Sequence, residues 1–232
     1  MFLYETHLHT SPVSKCGRAT VEETVAFYKE IGYDGVFITN HFLDGNLNYD
    51  KAAPYDEKID FYFSDVEQGQ KIGRELGIRV FSGVELSHLG TDFLIYGLDK
   101  QWYLAHPEIM EMKKSQELAF MMEQGALVIQ AHPYREASYI DHIRLYPRHI
   151  HGVETVNSSQ RDERNAIAKF FCDHYGLLHF SGSDNHDGAK REKLAGMACR
   201  EAVTSELDFV AKVLAGQAEP FTLQNPLFTP EK

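Results

Sequence analysis

The sequence predicts an α/β fold, a barrel of about seven strands in a single domain over residues 1–232. Two observations carry that prediction. Short apolar runs alternate with longer amphipathic stretches along the chain, and glycine follows most of the amphipathic stretches where a helix should stop. A doubly wound open sheet is the alternative that the same alternation allows.

The first expected strand covers 2–6. A helix over 21–31 follows, opened by Thr20 with Glu23 three residues on, at capping-box spacing, and stopped by Gly32. The run at 35–39 is the second strand. Residues 49–63 are dense in aromatics, including Tyr49, Tyr55, Phe61, Tyr62 and Phe63, and read as a long loop packed on the barrel or as a lid over substrate. A helix over 64–76 ends at Gly77, and strands are expected at 78–82 and 93–96. The helical pattern at 107–123 stops before Gly125; strands at 126–130 and 152–156 then lead to a helix over 162–175, ended by Gly176. A strand at 177–181 and a helix over 205–214 complete the pattern, and Pro-rich sequence appears only between Pro220 and Pro230.

Composition narrows function. A net charge of −11 over 232 residues opposes binding to a phosphate backbone, which needs Lys and Arg to displace counterions, so no nucleic-acid partner is expected. Three cysteines, Cys16, Cys172 and Cys199, form no CxxC pair and fit a reducing, cytoplasmic compartment. The start lacks a basic segment followed by a long apolar one, and no apolar run reaches membrane-spanning length, so neither export nor membrane insertion is expected. Walker A, GxGxxG and nucleophile-elbow motifs are also missing, which removes sequence support for P-loop, dinucleotide and covalent acyl chemistry.

What remains is at the strand ends. The first expected strand leads into His7-Leu8-His9, the second into Asn40-His41, the third into Glu85, the fifth into His132 and the last into Asp184-Asn185-His186. In α/β barrels functional groups gather at the C-terminal ends of several strands, so these residues are placed to converge. Imidazole and carboxylate together are donors for zinc, iron or manganese. Alternation by two puts His7 and His9 on one face of a strand.

The ordered set resembles the polymerase and histidinol phosphatase (PHP) family of metal-dependent phosphoesterases. The resemblance runs through His7-Leu8-His9-Thr10, Thr39-Asn40-His41, Gly83-Val84-Glu85, Ala131-His132-Pro133, Gly152-Val153-Glu154 and Gly182-Ser183-Asp184-Asn185-His186. It implies a distorted barrel of seven β/α units with two or three divalent transition metal ions (Mn, Zn or Fe) at one face. It assigns His7, His9, Glu85 and Asp184 to a first ion, Glu85 and His132 to a second, and His41 and His186 to a third. Where the family commonly has another His or an acidic residue for the third ion, this chain has Lys15-Cys16. There Cys16 either ligates as a thiolate or is an ordinary buried thiol. Asn40 stands where the family commonly has Asp, and retains the ability to orient an imidazole. His88 either completes the second ion's shell or sits on a loop, and Glu154 either makes a structural hydrogen bond or acts in catalysis.

The implied reaction is hydrolysis of a small phosphate monoester of the histidinol-phosphate type. Ions bridged by Glu85 would lower the pKa of a water from about 16 toward about 7, with Asp184 beside them. Arg135 is the first candidate to bind the phosphoryl oxygens, and Arg18, Lys15, Lys190, Arg191 and Asn157 are further substrate-pocket candidates. A metal-binding regulatory module without turnover, or a hydrolase of a non-phosphate ester or amide, would use the same residues.

Overall fold

The computed structural model describes residues 1–229, so Pro230 at the end of the Pro-rich tail lies outside the described residues. Its strands are β1 (Phe2–Leu8), β2 (Gly35–Ile38), β3 (Arg79–Ser82), β4 (Val84–His88), β5 (Thr91–Tyr96), β6 (Leu127–Ala131), β7 (Gly152–Asn157), β8 (Leu178–Gly182), β9 (Lys193–Cys199) and β10 (Ala218–Gln224). Its α-helices are α1 (Val21–Glu30), α2 (Tyr55–Leu76), α3 (Lys100–Ala105), α4 (Lys114–Glu123), α5 (Asp162–Tyr175) and α6 (Glu206–Leu214).

The α/β class is as expected, but two open five-stranded sheets stand where one closed ring of seven strands was expected. One runs β10-β9-β1-β2-β3 and the other β4-β5-β6-β7-β8. The chain passes directly from the first sheet to the second through Gly83, between β3 and β4. At the far edges β8 faces β1, β9 and β10 through side chains rather than a ladder: Thr6 Oγ1 donates to the Ser181 carbonyl at 2.5 Å and Ser181 Oγ to that of Phe221 at 3.2 Å.

Three strands escape the alternation pattern, each for a physical reason. β4 pairs antiparallel with β5, so this part of the fold is a hairpin rather than a β/α unit. β9 carries Gly196 in its middle and β10 carries Pro220, and both residues read as breaks. Yet among the described residues β10 pairs with β9 alone, and an edge strand tolerates proline. A Cβ on Gly196 would lie 2.1 Å from the Tyr4 carbonyl oxygen, so β9 approaches β1 as only glycine allows.

The aromatic stretch is corrected too. From Tyr55 onward it is the start of α2 rather than a loop or lid, and Ile59, Tyr62, Phe63 and Val66 recur at helical spacing as its buried face. The expected single helix at 107–123 divides into a 3₁₀ turn (Pro107–Glu111) and α4. Elsewhere the end signals hold. Thr20 and Glu23 make both bonds of the capping box, and Gly77 and Gly176 close α2 and α5 in the left-handed conformation.

Between the sheets lies an aromatic interior. Phe37, Tyr96 and Phe180 from three strands converge on Phe209 of α6, with ring centroids 4.4, 5.6 and 6.2 Å from it. Each fully buried side chain of this size contributes about 1.5–3 kcal/mol, which fixes α6 against the strands. No described helix is long and apolar enough to cross a membrane.

Candidate metal centre

Backbone pairing brings the distant strand-end motifs together. His9 N–H donates to the Asn185 carbonyl and Asn185 N–H to that of His7, which sets the Asp184–His186 segment beside His7 and His9. In the same way Phe42 N–H donates to the Glu85 carbonyl and Glu85 N–H to that of Asn40, which sets His41 beside Glu85.

A register shift in the β1–β2 ladder between Glu5 and Leu8 re-aims the end of β1. It is held by Glu5, which sequence reasoning passed over. This wholly buried carboxylate accepts from the N–H groups of Thr6, His7 and Ser183 and from the Tyr28 hydroxyl. Burial raises its pKa, against the pull of those bonds.

Among the described residues three groups of donor atoms result, each with its atoms within 4.8 Å of one another: His7, His9 and Asp184; His7, Glu85 and His132; and His9, Cys16, His41 and His186. Every residue named for metal binding in the sequence therefore falls in a group. The grouping departs from the family's assignment at three residues: Glu85 is absent from the group of His7, His9 and Asp184, His7 joins Glu85 and His132, and His9 joins His41 and His186, with Cys16 beside them. His88 is in none of the groups; burial and the charges of Lys114 and Arg144 push its imidazole pKa down.

Glu85 is the centre. Its oxygens lie 2.7–3.3 Å from imidazole nitrogens of His7, His9, His41 and His132, yet neither accepts a hydrogen bond of acceptable geometry. His41 Nδ1 and His132 Nε2 are likewise buried without a hydrogen-bond partner. Buried polar groups are normally paired. Lone pairs converging on shared points instead of on protons fit divalent metal ions, and a donor set of imidazoles with two carboxylates suits transition metals. Burial works to raise the pKa of both carboxyls. The surrounding imidazoles, His41, His7 and His9 around Glu85 and chiefly His7 beside Asp184, nonetheless hold them well below the usual carboxylate range.

The candidate ligands are oriented from behind. His7 Nδ1 is 2.9 Å from Glu154 Oε1, so it donates there and leaves the Nε2 lone pair toward the centre. Glu154 Oε2 accepts from the His132 N–H and from Asn157 Nδ2. Glu154 thus makes the structural hydrogen bonds. Asn157 is a correction: it is fully buried against Glu154 and does not line a substrate pocket. Asn40 is another. Its side chain bonds Thr10 and Asp65 and orients no imidazole. His132 and Asp184 have φ of +24° and +51°, conformations that non-glycine residues rarely adopt and that concentrate at functional sites.

Glu154→Gln tests this support. Gln offers one accepting oxygen where Glu154 serves donors on both, so its NH₂ must face either His7 Nδ1 or the His132 and Asn157 donors. Metal affinity should fall by about 10–100-fold, measured by competition with a chelator; unchanged affinity would remove Glu154 from this role.

A cleft of about 400 Å³ opens onto the centre and is lined by Cys16, His41, His186, Asp92, Arg135 and Tyr139 among others. Asp92, like Glu5, is a residue that sequence reasoning missed; its signal was a lone acid in the apolar run 91–96. Its buried Oδ2 has no hydrogen-bond partner and lies 3.6 Å from Arg135 Nη2 and 3.9 Å from His132 Nε2. Arg135 also contacts the Tyr139 hydroxyl, and its buried Nε has no partner. Burial opposes the guanidinium charge, but Asp92 and other anions raise its pKa.

The other cationic candidates lie elsewhere. Arg18 pairs with Asp187 and, with Lys190, lines a neighbouring cleft; Lys15 and Arg191 line neither. At Cys16 burial works to raise the thiol pKa, but the His186 and His41 imidazoles bring it down to about 6.

Comparison with known proteins bears on the fold. No protein-family model and no curated protein matches the chain. Solved structures do. A two-domain protein from Bacteroides vulgatus containing a predicted PHP-like metal-dependent phosphoesterase superposes with a TM-score of 0.65 at 16% identity, over 95% of this chain and 64% of that one. The fold is PHP-like. The chain thus spans less than two thirds of the Bacteroides protein. A provisionally assigned metal-dependent phosphoesterase from Bifidobacterium adolescentis gives 0.54 at 14% identity, over 91% of this chain and 95% of that one. An amidohydrolase from Chromobacterium violaceum with bound sulfate gives 0.50 at 12%, over 79% and 87%. This PHP-like scaffold is therefore shared by proteins assigned to more than one reaction.

Proposed function

We propose that this chain is a metal-dependent phosphoesterase that hydrolyses a small phosphate monoester, of the histidinol-phosphate type, in the cytoplasm. Two or three Mn, Zn or Fe ions would be held by His7, His9, His41, Glu85, His132, Asp184 and His186. The observation that carries the reading is Glu85, a buried carboxylate whose unpaired oxygens are ringed by four imidazole nitrogens. Bound divalent ions supply an activated water at neutral pH and positive charge for the phosphoryl oxygens.

The protein's own groups do the rest. Glu154 fixes the tautomer and direction of His7, and its bond to the His132 N–H holds that residue in its left-handed conformation. Arg135 lines the same cleft as His41 and His186, and its guanidinium there suits a phosphoryl oxygen. Asp92 keeps the guanidinium in place. At about 400 Å³ the cleft is of small-molecule size, and the chain's net charge of −11 argues against a polyanionic partner.

The test is metal analysis of the purified protein beside phosphate release from histidinol phosphate, nucleotides, phosphotyrosine, and ester and amide controls. Two or three metal equivalents with phosphate release support the reading. Turnover of an ester or amide alone assigns the centre to a different bond, and bound metal without any turnover makes it a regulatory module. Arg135→Ala should lower kcat/KM for phosphate esters by roughly 10–100-fold, the loss of one charge-assisted hydrogen bond, with metal content unchanged. Unaltered kinetics would remove Arg135 from substrate binding.

A further inference from the structure

The third group of donors differs in kind from the other two. The groups around His7 each contain a carboxylate, Asp184 or Glu85, whereas His9, Cys16, His41 and His186 offer three imidazoles and a sulfur. We propose that Cys16 is a thiolate ligand in this third position, and that it makes one corner of the centre selective for zinc or ferrous iron over magnesium or manganese. The proposal rests on the metal-centre reading above and deepens it.

Cys16 is held at the position by its neighbours' backbone. Lys15 N–H donates to the Asn46 carbonyl, Gly17 N–H to that of Ser14, and Arg18 N–H to that of His186. A Cβ at residue 17 would lie 2.6 Å from the Thr10 carbonyl carbon, so glycine there lets the loop lie against the end of β1.

The other donors are fixed in place around it. His41 is 9% exposed, and its Nδ1, which makes no hydrogen bond, lies 2.7 Å from Glu85 Oε2, so this imidazole stands between Glu85 and the third group. His186 Nδ1 donates to the Asp184 carbonyl at 2.9 Å, which leaves the lone pair on Nε2. His9 and His186 stack with centroids 4.3 Å apart, and His9 and His41 lie 4.5 Å apart.

Ligand chemistry sets the selectivity. Thiolate and imidazole favour zinc and iron, while magnesium and manganese prefer carboxylate, carbonyl and water oxygens. A coordinated thiol is deprotonated by the ion itself, so the protein need only place the sulfur. Cys172 and Cys199 are in none of the groups, and Cys172 instead donates to the Leu177 and Leu178 carbonyls. They serve as internal controls.

The experiment is titration of the metal-free protein with cobalt(II), for wild type, Cys16→Ser and Cys172→Ala, followed by absorption. Wild type and Cys172→Ala should show both the visible d–d bands and a near-ultraviolet sulfur-to-cobalt charge-transfer band. Cys16→Ser should keep d–d bands from the carboxylate-containing positions and lose the charge-transfer band completely. In the wild type, zinc should abolish that band at stoichiometric amounts, and manganese should leave it. Wild-type d–d bands without charge transfer, a charge-transfer band that survives in Cys16→Ser, or displacement by manganese equal to that by zinc would overturn the proposal while leaving the metal centre standing. Failure of the wild type to take up any cobalt would instead overturn the metal-centre reading.

Discussion

Glu85→Gln is expected to lower phosphate-ester hydrolysis by about 10³-fold or more, the loss of roughly 4 kcal/mol of electrostatic stabilisation, and to reduce bound metal. The substitution preserves the side chain's shape but removes a negative charge ringed by imidazoles of His7, His9, His41 and His132. It also replaces an accepting oxygen by an NH₂ group, whose protons would point at lone pairs needed for metal. The fold should persist, because the backbone bonds that hold Glu85, to Asn40 and from Phe42, do not involve the side chain. The checks are metal analysis, phosphate release and a thermal melt on the same preparation. Activity within about tenfold of wild type would leave Glu85 outside the reacting centre, whatever the metal content; a tenfold change is only about 1.4 kcal/mol.

The centre is more legible in the sequence than the fold that holds it, and the reason is chemical. The candidate ligand residues sit close to strand termini, where a short apolar run meets His, Glu or Asp, and both features are local. His7, His9, His41, Glu85, His132, Asp184 and His186 could therefore be named without knowing which strands are neighbours. Their supporting residues are set by contacts between strands far apart in the chain. Glu5 accepts from Ser183, and Glu154 bonds His7; neither relation leaves a trace in local spacing. Asp92 was missed for a related reason. It lies at the start of a hairpin strand, β5, opposite Ala131, and not at the end of a strand in a β/α unit.

The sheet topology was hidden by the residues that make it possible. Gly83 carries the chain from one sheet to the other, Gly196 allows β9 against β1, and Pro220 sits on an edge strand. Each is a break in a pattern search and a packing solution in the fold. The α2 start failed differently, because Tyr and Phe have weak intrinsic helix propensity, and burial of Ile59, Tyr62 and Phe63 overrides it.

Gly182→Ala joins these two levels, fold and centre, in one residue that touches no metal. A Cβ at 182 would stand 2.5 Å from His7 Cβ and 2.8 Å from Glu154 Oε1, both shorter than real contacts. His7 Cβ cannot swing aside by a rotamer change, and β1 is held between β2 and β9. Either β8 retreats, straining the Thr6–Ser181 bond and moving Asp184 two residues on, or the His7–Glu154 pair separates. Overpacking of this kind costs about 1–3 kcal/mol, a Tm loss of roughly 2–4 °C per kcal/mol for a chain of this size. The larger expected effect is on function, since a ligand displaced by about 1 Å costs on the order of 10²-fold. Gly176→Ala is the control. That glycine closes α5 at φ +64° with nothing within 4 Å of its would-be Cβ, so alanine there is strained without reaching the centre. Both variants should melt earlier than wild type, and only Gly182→Ala should lose metal affinity and turnover. Equal loss of turnover in the two would mean that global destabilisation, rather than the His7–Glu154–Asp184 geometry, limits activity.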